Sequence, residues 1–116
     1  MNEAARCDPE LRLPVRVYIE DTDAGGIVYY VNYLKYFERA RTEFMRGLGF
    51  AKAALPGGDF MFVVHSMAVD YLRSARLDEE LEAVARLLEF RGARLVFAQR
   101  VLRGTEEICR ARVTVA

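Results

Sequence analysis

Between Asn32 and Gly49 the apolar residues Tyr33, Phe37, Ala40, Phe44 and Leu48 recur at steps of three and four, and polar residues Lys35, Arg39, Thr42, Glu43 and Arg46 fall between them. That spacing gathers the apolar side chains into one stripe of an α-helix, and the stripe must be covered. An amphipathic helix is therefore predicted, with Asn32 able to cap its start and Gly47 or Gly49 able to end it. Whatever else the chain forms has to supply the surface on which this stripe lies.

The segments on either side read as strands. From Leu13 to Ile19, Leu13, Val15, Val17 and Ile19 alternate with Pro14, Arg16 and Tyr18, the period of two expected of a half-buried strand. Pro56-Gly57-Gly58-Asp59 marks a loop, and Phe60 to Leu72 reads as a long strand rich in Phe, Val and Met. Leu95 to Leu102 and Ile108 to Val115 alternate around a Gly104-centred turn and are expected to form a terminal hairpin. Leu77 to Phe90 is ambiguous. Leu77, Leu81, Val84 and Leu88 fit a helical period and local propensity favours a helix, whereas Leu81, Ala83, Ala85 and Leu87 would share one face of a strand. The expected class is α+β with a mostly antiparallel sheet.

With 116 residues the chain suits one domain, expected to span 1–116 with residues 1–12 as a loose N-terminal segment. Seventeen basic and seventeen acidic side chains leave no net field to attract a nucleic-acid backbone or an anionic membrane. No stretch approaches the roughly 20 apolar residues of a membrane span, so no nucleic-acid partner and no stable membrane insertion are expected. Met1 to Glu10 lacks the apolar core of a signal peptide, and Cys7 and Cys109 are the only cysteines, which predicts a reduced, cytoplasmic protein. Two Cys and one His are too few for a structural zinc site, and no metal or cofactor is expected. His65, within an apolar strand, reads as structural, and Cys109 as a small apolar residue.

Chemistry is concentrated in Glu20-Asp21-Thr22-Asp23-Ala24-Gly25-Gly26, three carboxylates and two adjacent glycines between the first strand and the helix. Asp before Gly is ordinary turn chemistry. The same place also suits acyl transfer, because a carboxylate can attack or activate water while free N–H groups at a helix start polarise a carbonyl. The glycines, Gly26 among them, permit positive φ or close backbone approach by a ligand.

The run Val15-Arg16-Val17-Tyr18-Ile19-Glu20-Asp21-Thr22-Asp23-Ala24-Gly25-Gly26-Ile27-Val28-Tyr29-Tyr30-Val31-Asn32-Tyr33-Leu34 closely resembles the signature of the 4-hydroxybenzoyl-CoA thioesterase family, and most of all its YbgC-like, Tol-Pal-associated branch. The likeness continues through Tyr36 to Glu43 and returns at Ala75-Arg76-Leu77-Asp78 and at Arg91 to Phe97. It implies a hot-dog fold, a long antiparallel sheet wrapped around one central helix, with Leu77 to Phe90 as a strand. It implies an acyl-CoA thioesterase that works at least as a homodimer, with a homotetramer expected and acyl carrier protein a candidate partner. Carried over by position, Asp23 would be the catalytic carboxylate, Asp21 structural, and the Tyr30 amide the aid that polarises the thioester carbonyl. Arg91 and Arg94, flanking Gly92, would meet the CoA phosphates, and the acyl group would lie near Gly26 and along an apolar face that includes Phe62, Val63, Val64 and Met67. Tyr30 is the main departure, since YbgC-like members usually carry histidine there and 4-hydroxybenzoyl-CoA enzymes tyrosine. The same resemblance leaves two rivals: a hydroxyacyl dehydratase, disfavoured because no histidine lies in or before the helix, and a non-catalytic acyl-chain or carrier-protein binding partner at the inner membrane.

Overall fold

The computed structural model describes residues 10–47 and 63–116. Five strands, β1 (Glu10–Arg16), β2 (Val64–Tyr71), β3 (Glu80–Arg91), β4 (Arg94–Arg103) and β5 (Glu106–Val115), form one sheet in the order β1-β3-β4-β5-β2, with every pair antiparallel. A single α-helix, α1 (Val31–Gly47), lies on one face of it. This is the α+β arrangement expected from the residue pattern, in the hot-dog form that the resemblance implied.

The face toward α1 can be read from the register. Val101 pairs with Ala83 and Cys109, Gln99 with Ala85 and Ala111, and Phe97 with Leu87 and Val113, so alternate residues of three strands share one surface. Phe37, Ala40 and Phe44 of the helical stripe are buried against it, and the Phe44 and Phe97 rings meet edge to face at 5.3 Å. Cys109 is fully buried there, and burial pushes its thiol up to about 12, so it behaves as an apolar side chain.

Leu77 to Phe90 is the segment where local propensity loses. Leu77 falls in a turn and is exposed, as is Leu88, so the helical stripe through these residues would have had nothing to cover. The alternating set Leu81, Ala83 and Ala85 is buried beneath α1, and β1 and β4 pair with this strand on both sides. Central pairing outweighs a helix preference of a few tenths of a kcal/mol per residue, about the size of ordinary propensity differences.

Three expectations need correction. The loose segment 1–12 is too long: residues 10–12 belong to β1, with Leu11 opposite Ala85 and with Glu10 and Arg12 tied by ion pairs to Arg100 and Glu82. Residues 1–9 lie outside the described residues. The first strand also ends earlier, at Arg16, and Ile19 stands 75% exposed in a 3-10 turn spanning Ile19–Asp21. Finally, the strand predicted over Phe60 to Leu72 is described as β2 from Val64; Phe60 to Phe62 and the Leu55 to Asp59 loop fall outside the described residues. β2 is an edge strand, so Val63, Val64 and His65 are exposed and only Met67 and Val69 pack partly on the core.

Phe97 has no exposed surface and makes the central ring contact with the helix. Phe97→Ala should lower unfolding free energy by about 3–5 kcal/mol, read as a reduced urea midpoint with an unchanged slope.

Candidate active site

The loop from Tyr18 to Tyr30 is built around Asp21. Its carboxylate Oδ2 accepts the Tyr18 N–H at 2.9 Å, and its carbonyl accepts both the Tyr29 N–H at 2.9 Å and the Asn32 Nδ2 at 2.8 Å. Asn32 is thus the second residue of α1 and not its cap, and its buried amide fastens the helix start to the loop. Asp21 thus carries the bonds that shape the loop. Its carboxylate also faces the buried Tyr36 hydroxyl, which has no well-formed hydrogen bond; burial first, then the Asp21 charge, push that phenol's pKa up.

Asp23 closes the tip of the loop. Its N–H donates to Ile27 O at 2.9 Å, its carbonyl accepts the Gly26 N–H at 3.0 Å, and its Oδ1 accepts the Gly25 N–H at 2.8 Å. A Cβ at position 25 would lie 3.3 Å from that Oδ1, so the carboxylate would have to shift by a few tenths of an ångström, and Gly26 holds φ +81°, the left-handed region that favours glycine. One carboxylate oxygen is occupied by its own turn. The other has no hydrogen-bond partner among the described residues, and Asp23 is exposed.

Tyr30 immediately precedes α1. Its N–H has no acceptor among the described residues, and the first turn of the helix carries no acid to neutralise the positive end of the dipole. Its ring is 55% exposed and packs against Tyr29 at 5.0 Å and edge-on against Tyr71 at 5.7 Å. The carboxylate and the helix start therefore belong to one short, braced segment.

Behind this segment lies the loop joining β2 to β3. Ile27 bridges Arg76, Val28 N donates to Ala75 O at 2.8 Å, and Ala75 N donates to the Tyr33 hydroxyl at 3.0 Å. Burial raises the Tyr33 phenol pKa, and the Ala75 bond opposes that rise. Sequence reasoning did not assign Tyr33 or Ala75 to the site. The one available signal was the second stretch of likeness at Ala75 to Asp78.

The other predicted site residues are elsewhere. Val63 is exposed just before β2 and lines a cavity of about 260 Å³ with Arg41, Met45 and Phe97. Arg91 and Arg94 are exposed at the β3–β4 turn, Arg91 lying 4.0 Å from Glu89. Val64 and Leu95 both pair with Val115, whereas Tyr71 pairs with Cys109 at the opposite end of the sheet and touches Tyr30. The seven residue steps from Val64 to Tyr71 span about 23 Å. Within one chain, Asp23, Gly26 and Tyr30 form one group, and Val63, Arg91 and Arg94 form a second at the far end.

The family model described as Thioesterase superfamily matches residues 25–110. An acyl-CoA thioesterase YbgC from Haemophilus influenzae is 46% identical over 110 residues, covering 94% of this chain and 81% of that protein. An acyl-CoA thioester hydrolase YbgC from Escherichia coli is 50% identical over 91 residues, covering 78% and 68%. A crystal structure of a probable thioesterase from Bartonella henselae superposes with a TM-score of 0.84 at 36% identity, covering 93% of this chain and 90% of that one. The chain belongs to the thioesterase superfamily. Its similarity within that family is to the YbgC-like branch, and its fold is that of the hot-dog thioesterases. Among the described residues no helix is long and apolar enough to cross a membrane, and no three His, Cys, Asp or Glu side chains are grouped to hold a metal ion.

Tyr33→Phe removes the acceptor of a buried backbone N–H and should lower stability by about 1–3 kcal/mol. Amide exchange should quicken at Ala75 and Val28 and remain slow in the middle of α1, a pattern readable by two-dimensional NMR.

Proposed function

We propose that this protein hydrolyses acyl-CoA thioesters to a free acid and CoA in the cytoplasm, with Asp23 as the reacting carboxylate. The observation that carries the reading is the Asp23 carboxylate, half engaged by Gly25 and half free, on the same braced loop as an unoccupied N–H at the start of α1. The thioester carbonyl would sit against the Tyr30 N–H, near Gly26, where developing negative charge meets the positive end of the helix. A tyrosine in place of the branch's usual histidine leaves this backbone role intact. Asp23 either attacks the carbonyl, expelling CoA thiolate and leaving a mixed anhydride for water to cleave, or takes a proton from water as it attacks.

A complete site calls for a second copy of the chain. β1 is a poor pairing edge, since Pro14 lacks an N–H and the strand carries charged Glu10, Arg12 and Arg16. β2 has no proline, only Asp70 and His65 as ionisable residues besides Tyr71, and exposed Val64 and Tyr71, with exposed Val63 just before it. Antiparallel pairing of two β2 edges would set the start of one strand beside the end of the other. Val63, Arg91 and Arg94 of the second subunit then approach Asp23 and Tyr30 of the first, lining the acyl group with valine and offering guanidinium forks to the CoA phosphates. The dimer is the minimum unit; a tetramer would add further pairing without altering the site, and acyl carrier protein would present its thioester from the same side as CoA.

Asp23→Asn should lower kcat by about 10²- to 10⁴-fold with an unchanged circular-dichroism spectrum. The assay is thiol release from short aliphatic, long aliphatic and aromatic acyl-CoAs; near-normal turnover would remove Asp23 from the mechanism, and no release by the unaltered protein would favour the binding-partner reading. In oxygen-18 water, label entering the Asp23 carboxylate in a single turnover marks an anhydride cleaved at its aspartyl carbon; where the label appears only in the released acid, trapping of an acylated Asp23 by hydroxylamine marks the anhydride and its absence favours general-base hydrolysis. Separately, Val64→Lys places a charge on the β2 edge and should give a folded monomer by sedimentation, with activity reduced at least about tenfold.

A further inference from the structure

Arg103 ends β4 on the side of the sheet that carries the Asp23 loop, and its directed contacts reach two separate loops. Its Nη1 donates to Ser74 O at 3.1 Å and to Glu79 Oε1 at 2.8 Å, while its Nε and Nη2 grip Glu106 Oε1 at 3.2 and 2.9 Å. Glu79 Oε1 also accepts the Arg76 N–H at 2.8 Å, and the other Glu106 oxygen accepts from Arg73 Nε at 3.3 Å. One guanidinium thus pins both ends of the 74–79 loop to the β4–β5 hairpin. Between those ends are Ala75, which binds Val28 and Tyr33, and Arg76, which bridges Ile27. Ile27 O in turn holds the Asp23 N–H.

We propose that Arg103 is a positioning residue for the reacting segment: by clamping the 74–79 loop it fixes Ile27 and Val28, and through them the Asp23 carboxylate and the Tyr30 N–H. The inference rests on the thioesterase reading of that segment. The side chain is 29% exposed, well below the ion-paired Arg12, Arg16, Arg73 and Arg110, and a rigid fork is needed to reach a carbonyl and two carboxylates together. Burial alone would raise the Glu79 carboxyl, but the Arg76 N–H and Arg103 outweigh it and hold it below the usual carboxylate range, so the clamp is charged near neutrality.

The test compares Arg103→Met and Arg103→Lys with the unaltered full chain, using butyryl-CoA and benzoyl-CoA for kcat and KM and NMR amide exchange for the loop. Arg103→Met should lower kcat by about ten- to a hundredfold, as displacement of a reacting group does, with KM changed less than about twofold. Exchange at Val28 and Ala75 should quicken while Phe37 to Phe44 stay protected, and Arg103→Lys should restore part of kcat. If the unaltered enzyme is active and the Met variant keeps its kcat, or exchange rises equally through α1, the positioning role is overturned and Arg103 is ordinary scaffold. If the unaltered protein releases no thiol from these two substrates or from a long-chain one such as palmitoyl-CoA, the thioesterase reading fails and takes the positioning role with it, whatever the exchange shows.

Discussion

The contact between α1 and the sheet holds the rest of the molecule in place. Phe37, Ala40 and Phe44 meet Phe97, Ala83 and their neighbours in a surface from which water is excluded, and each large side chain buried there contributes about 2 kcal/mol. Dispersion sets no orientation by itself. Gln99 does: it donates to Phe37 O at 2.9 Å and accepts from Arg41 Nη1 at 2.8 Å, so a sheet side chain reads one particular turn of the helix. Burial lowers the Arg41 pKa, a cost tolerable for a guanidinium whose usual value is far above neutrality. With the helix held in rotation and register, the Asp21 carbonyl, gripped by Asn32, ties the preceding loop to the helix start.

That dependence explains which parts of the fold were legible in the sequence. Residues answering to one periodicity were plain: the helical stripe through Tyr33, Phe37, Ala40 and Phe44, and the alternation of β4 and β5, are local patterns with a single solution. Leu77 to Phe90 carried two periodicities, and nothing within it says which neighbours will pair with it. The choice of strand came from likeness to a family, and its physical cause, pairing with β1 and β4, is entirely non-local. The error at residues 10–12 has the same origin, since Leu11 looks like an isolated apolar residue until Ala85 stands opposite it.

The site was legible in proportion to how much of it is backbone. Asp-Thr-Asp-Ala-Gly-Gly announces a turn because Asp and paired glycines are turn-forming residues, and the carboxylate within the turn is visible with them. The bracing was not. Tyr33 reads as one more core residue of the stripe, and Arg103 as one of fifteen arginines, because a bond from Ala75 N to a phenol forty-two residues away leaves no trace in local spacing.

Val63, Arg91 and Arg94 differ from these, because the family resemblance groups them with Asp23 and yet they stand apart from it in the chain. Their separation is about the length of β2, and β2 is the strand whose outer edge is left open. A two-fold axis through the middle of that edge exchanges its ends, so any residue near Val64 in one copy comes to the neighbourhood of Tyr71 in the other. The opposite edge of the sheet cannot do this without meeting Pro14 and the charges of β1. The split of the predicted residues into two distant groups is the distribution that the proposed pairing through β2 would bring together. Under the proposed pairing, the exposed ring of Tyr30, already against Tyr71, would face the valines of a second copy.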